Sequence, residues 1–196
     1  MTETPEGKKG RREERPNGAD RSAWSAVLLC AVGDLRLAGD FLKAASAPGL
    51  RVVLLCRTPD EAVELGRWVV EKGGNALPFW SEKPGDGMVG RVVEDFGRLD
   101  ALVLIGSAPA LSAWEALSEA ALPLLRKARP RGLLMAVQPD AGTVAWLNGK
   151  REAWRGLKAR VDVVEIPLPD NEPEGRPDLD AAQALEKAFP RGAGTE

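Results

Sequence analysis

The chain contains no histidine and no tyrosine. Without histidine there is no Ser-His-Asp or Cys-His nucleophile system and no imidazole-ligated metal. Without either residue, proton transfer near neutral pH falls to carboxylates and lysine. Only two cysteines occur, Cys30 and Cys56, both inside apolar runs. They read as reduced, buried thiols of a cytoplasmic protein and are too few for a metal site, so no metal is expected. No apolar stretch reaches the 18 or more residues that span a bilayer, and no apolar segment marks the N-terminus as a secretory signal. The net charge of -2 offers no excess of one sign, so neither nucleic acid nor an anionic membrane is an expected partner.

What is present is 196 residues with an apolar fraction of 44%, enough for one domain with a sizeable core. Residues 1–22 carry charge, Gly and Pro and little to bury, which predicts a disordered charged tail. Residues 191–196 read as a short flexible C-terminus, leaving 23–190 as the folded unit. Within it, apolar runs of strand length alternate with helical patterns. Strands are predicted at 26–32, 51–56, 75–79, 99–105, 132–137 and 161–166. Helices are predicted at 39–47, 58–72 (stopped by Gly73-Gly74), 87–96, 112–127, 144–158 and 179–189. Thr58, Pro59 and Glu61 give the third-strand approach a capped helix start. This alternation defines an α/β class, a doubly wound parallel sheet with a Rossmann-like three-layer α/β/α arrangement in a single domain.

In such a sheet ligands bind beyond the carboxyl ends of the strands. After the first strand stands Gly33-Asp-Leu-Arg-Leu-Ala-Gly39, either a dinucleotide turn or a glycine-bounded turn of steric origin. After the second stands Arg57, placed to meet a 2′-phosphate or simply to open a helix. After the fourth come Gly106 and Ser107, small residues that admit a ligand or form a plain turn. After the fifth comes Asp140, a better helix-start residue than a base. The six tryptophans are scattered and read as packing groups rather than a stacking platform.

The order of these segments resembles the short-chain dehydrogenase/reductase family over about residues 24–167. Gly33-x5-Gly39 stands where that family has T-G-x-x-x-G-x-G, and Arg51 to Arg57 is similar to its second strand with a cofactor-selecting arginine. Glu94-Asp-Phe-Gly-Arg-Leu-Asp-Ala-Leu-Val103 resembles the approach to its N-N-A-G motif, here Leu104-Ile-Gly-Ser107. Glu119-Ala-Ala-Leu-Pro-Leu-Leu-Arg126 resembles the end of its fourth helix, and Trp146-Leu-Asn-Gly-Lys150 falls on its Y-x-x-x-K. The resemblance implies NADP or NAD as cofactor, with Gly33, Gly39, Arg57, Gly106 and Ser107 around it and Lys150 as the surviving family lysine. The departures fall on the chemistry. Trp146 stands at the tyrosine position, Pro139 at the serine position, the family's asparagine has no counterpart, and Leu37 replaces the central glycine, where it is expected to crowd the pyrophosphate. The expected function is a degraded, non-catalytic relative that binds a ligand or partner, with weakened dinucleotide affinity. Two alternatives are an active NAD(P)H-dependent oxidoreductase with an atypical site, and an accessory subunit pairing with a full-length dehydrogenase. The expected partners are accordingly a second copy or a related dehydrogenase.

Overall fold

The computed structural model describes residues 26–45, 49–72, 76–81, 86–106, 111–129, 131–157, 161–166 and 177–189. The expected tails (1–22 and 191–196), the Gly73-Gly74 stop and Ser107 lie outside them. Six parallel strands form one sheet in the order β3-β2-β1-β4-β5-β6. They are β1 (Ala26–Val32), β2 (Leu50–Cys56), β3 (Ala76–Trp80), β4 (Ala101–Ile105), β5 (Gly132–Val137) and β6 (Val161–Ile166). The helices are α1 (Leu35–Ala44), α2 (Pro59–Lys72), α3 (Asp86–Phe96), α4 (Leu111–Leu125), α5 (Ala141–Gly156) and α6 (Pro177–Ala188).

The central strands β1, β2, β4 and β5 are near-continuous apolar runs because both faces of the sheet are covered there. Alternate residues of β1 serve opposite layers. Ala26, Leu28, Cys30 and Val32 join a cluster with Phe41 of α1, Leu65 of α2 and Leu185 of α6. Val27, Leu29 and Ala31 join a second cluster with Val92 of α3, Leu117 of α4 and Leu147 of α5. The doubly wound, three-layer arrangement expected from the sequence is therefore what forms. Cys30 and Cys56 are buried free thiols. Burial drives the Cys30 thiol far up, and burial followed by the nearby Glu61 charge pushes Cys56 up to about 12, so neither is a thiolate near neutral pH.

Two helices start three or more residues earlier than their apolar periodicity suggests. Asp34 caps α1, accepting from the Arg36 and Leu37 amides, so the helix opens at Leu35 rather than near Gly39. Asp140 caps α5, accepting from the Thr143 amide at 2.7 Å, so that helix opens at Ala141 rather than at Val144. A carboxylate at this position takes up orphan amides of the first turn and complements the helix dipole. The sheet's crossover direction reverses between β1 and β4, which puts the ligand crevice of this fold beyond their carboxyl ends.

Candidate functional site

At the reversal point the chain leaves β1 through Gly33 and Asp34. The Asp34 Oδ1 accepts from the Arg36 amide at 2.8 Å and from the Leu37 amide at 3.1 Å. These are the first-turn N–H groups with which a helix N-terminus in this fold holds a phosphate. Gly106, at the end of β4, has φ +78 and lies against Asp34. A Cβ there would sit 2.8 Å from the Asp34 Cβ and 3.2 Å from its amide nitrogen. The room that Gly106 makes is thus filled by the chain's own capping residue. Leu37, expected to crowd a pyrophosphate, packs its side chain against the first core cluster. Gly39 lies one turn further along α1, where an added Cβ would meet the Trp68 ring of α2 at an ordinary contact distance of 3.8 Å.

Arg57 follows β2 as expected, and Glu61 of α2 claims it. The Arg57 amide donates to Glu61 Oε2 at 2.9 Å, and its Nε donates to Glu61 Oε1 at 2.9 Å. Its Nη2 donates to the same oxygen. Thr58 Oγ1 accepts from the Glu61 amide at 3.2 Å, the half of the capping box that the sequence suggests. The other half departs from it, since the Glu61 carboxylate grips Arg57 instead. Hydrogen bonding to Glu61 outweighs burial and raises the Arg57 guanidinium. Burial pulls the Glu61 carboxyl up, but the bonds from Arg57 outweigh it and hold the group below the usual carboxylate range.

Lys150 is the third positive group. It occupies the core-facing stripe of α5, Thr143, Leu147, Lys150 and Trp154, and is 7% exposed, so it is not a surface lysine. Its ammonium donates to Glu115 Oε1 and Glu119 Oε1, both from α4. The Trp146 indole N–H donates to the other oxygen of Glu115, and Lys150 Nζ lies 5.6 Å from the Trp146 ring centroid. Trp146 and Lys150 do come together, as their spacing of four implies. Both turn toward two acids that the sequence reading did not single out. Burial alone lowers the Lys150 ammonium, but its bonds to Glu115 and then Glu119 outweigh that and raise it. Burial raises the Glu115 carboxyl, but the bonds from Lys150 and Trp146 outweigh it and hold it low.

Two expected outcomes follow from this cluster. Lys150→Met keeps the apolar stem and should cost about 1 kcal/mol, the worth of partly exposed ion pairs. Lys150→Ala also empties the space under the stem and should cost about 2 kcal/mol or more by urea unfolding. Equal losses in the two variants would contradict the packing role. Stability should also depend on pH at both ends. Glu61 and Glu115 lie below their unfolded value of 4.5, so their contribution is present above that pH and is lost as pH falls through their lowered values. Lys150 lies above its unfolded value of 10.5, so its contribution is present below that pH and is lost as pH rises through its raised value. The urea midpoint should be flat between about pH 6 and 8 and fall outside that window, with the two buried thiols, raised from 9.0, adding to the alkaline loss; a slope across it would contradict the assignment.

No group of three or more metal-ligating side chains exists among the described residues. No helix among them is long and apolar enough to cross a membrane.

No family model matches this sequence, and no curated protein does. Solved structures do. A short-chain dehydrogenase from Pseudomonas syringae superposes with a TM-score of 0.66 at 18% identity, covering 89% of this chain and 93% of that one. A hydroxysteroid dehydrogenase from Escherichia coli gives 0.60 at 15% identity, covering 89% and 91%. A metagenomic short-chain oxidoreductase in complex with NADP gives 0.55 at 20% identity, covering 87% and 93%. The fold is that of the short-chain dehydrogenases. At these identities the likeness carries the frame and leaves the chemistry to the side chains.

Proposed function

We propose that this chain is a non-catalytic member of the short-chain dehydrogenase fold that binds a partner rather than turning over a dinucleotide. One observation carries the reading: three positive elements at the sequence positions where that family meets its cofactor are each matched by the chain's own carboxylates. Asp34 takes the α1 amides, Glu61 takes Arg57, and Glu115 with Glu119 takes Lys150. A dinucleotide phosphate entering the first seat must displace Asp34, at the cost of a helix cap worth about 0.5–2 kcal/mol. It also meets a like charge, which at contact range repels by about 1–4 kcal/mol between water and a protein surface. The chemistry is missing beside the seat. The indole of Trp146 does not ionise usefully, and its N–H is given to Glu115. Lys150 is a clamp between α4 and α5.

The reading is tested by following NADPH absorbance with a panel of aldehydes and ketones. No turnover above buffer is expected. Turnover that disappears in Lys150→Ala while Lys150→Met stays folded would overturn it.

A further inference from the structure

The two edges of the sheet differ. β3 carries Pro78, which has no N–H and breaks the row of donors that an incoming strand would need. β6 has no proline, and among the described residues no strand pairs with its outer side. The Gln138 amide donates to the Ile166 carbonyl at 2.7 Å, which turns the backbone groups of Ile166 toward β5. Alternation along the strand then turns those of Val164 and Asp162 inward as well, and those of Val161, Val163 and Glu165 outward. The Val163 carbonyl accepts from the Arg151 guanidinium of α5 at 3.3 Å, a side chain standing where a strand's donor would be.

A groove of about 1030 Å³ runs along this edge, with residues of α5 and α6 among its walls. Its charged lining is unequal. Arg131, Arg151, Arg155 and Lys187 face two acids, Asp162 and Glu165. Arg131 pairs with Asp162 at 3.2 Å, and Arg155 leans on Glu152 of its own helix. The outward backbone row supplies affinity for an extended chain, and the cationic walls select its side chains.

We propose that the free edge of β6 receives an extended acidic segment of a partner protein as a further strand of the sheet. The proposal rests on the partner-binding reading above and gives it a surface. Its test does not depend on the dinucleotide seat, because an NADPH titration of the same sample reads that claim separately.

The experiment uses the full chain and two fluorescent six-residue peptides, one alternating valine with glutamate and one alternating valine with lysine. The acidic peptide should saturate and bind about tenfold tighter than the basic one. On saturation, the amides of Val161, Val163 and Glu165 should change from fast to slow hydrogen exchange. Val163→Pro removes an outward N–H and leaves the β5–β6 ladder whole, so it should weaken the acidic peptide by about tenfold or more. Lys187→Glu, at a wall position that carries no sheet hydrogen bond, should narrow the preference between the peptides even if Val163→Pro fails to fold. Slow exchange of those three amides in the free chain would overturn the proposal, because the edge would already be covered. Equal binding of the two peptides would overturn it as well. So would a concentration-dependent dimer abolished by Val163→Pro, which would make the occupant a second copy.

Discussion

Gly132→Ala is expected to lower stability by about 3 kcal/mol or more, beyond the usual range for overfilling a core. A Cβ at this first residue of β5 would lie 2.3 Å from the Leu125 carbonyl oxygen and 2.7 Å from the Leu125 Cα and carbonyl carbon. Those atoms are backbone in the last turn of α4, so no rotamer change relieves the contact. The helix must shift, and it carries Trp114, Leu117, Ala121 and Leu125 into the second core cluster. Gly149→Ala is the control. It lies within α5 with nothing inside 4 Å of its added methyl, so alanine there should gain about 0.5–1 kcal/mol from helix propensity. Urea midpoints of the two variants should move in opposite directions. A Gly132→Ala midpoint within error of the parent would show that α4 and β5 do not approach this closely.

Asp100→Ala should be the next most damaging change, at about 3 kcal/mol. Asp100 precedes β4 and is 1% exposed. Its carboxylate accepts from the buried Val27 amide at 2.9 Å and from Arg98 Nη2 at 2.6 Å. Its own amide donates to the Val27 carbonyl, and its carbonyl accepts from the Leu133 amide, so one residue ties β1, β4 and β5 together. Alanine keeps the two main-chain bonds but orphans the Val27 N–H, at about 1–3 kcal/mol, and strips a charge-assisted bond from Arg98. Asp100→Asn retains a neutral acceptor and should recover about half of the loss. If the alanine and asparagine variants unfold at the same urea concentration, the Val27 bond is not what holds this corner.

The four central strands, β1, β2, β4 and β5, were legible because each is buried on both faces, and burial writes itself as an unbroken apolar run. The edge strands are only part-buried; aromatic residues mark β3, β-branched residues mark β6, and flanking turns bound both. The helix starts at Asp34 and Asp140 were harder to read. An acid that caps a helix precedes the apolar periodicity, and Asp34 sits inside what reads as a glycine-bounded turn. Asp140 was recognisable as a helix-start residue, yet it opens the helix three residues before Val144. The site was legible on one side only. Arg57, Trp146 and Lys150 could be placed from their spacing, but their partners could not. Glu115 and Glu119 are four apart on α4, as Trp146 and Lys150 are on α5, so each pair shares a helix face. Which face α4 turns to α5 depends on packing across the sheet, and no local pattern encodes it. One signal was available: Thr143, Leu147, Lys150 and Trp154 follow core-facing spacing, which marks Lys150 as buried and therefore in need of a counter-charge.

Under the proposed function, the positive groups at the positions where the family meets its cofactor are matched from within the chain. The most direct test of this matching is a titration of the full chain with NADPH and NADH, read by quenching of tryptophan emission. The expected result is no saturable quenching below about millimolar, a free energy of ~4 kcal/mol at most. In the doubly substituted Asp34→Gly, Glu61→Ala chain, which removes the side-chain acceptors from the α1 amides and Arg57, NADPH should bind measurably tighter than in the parent. Saturable NADPH binding by the unaltered chain well below millimolar, lost in Arg57→Ala, would contradict the account.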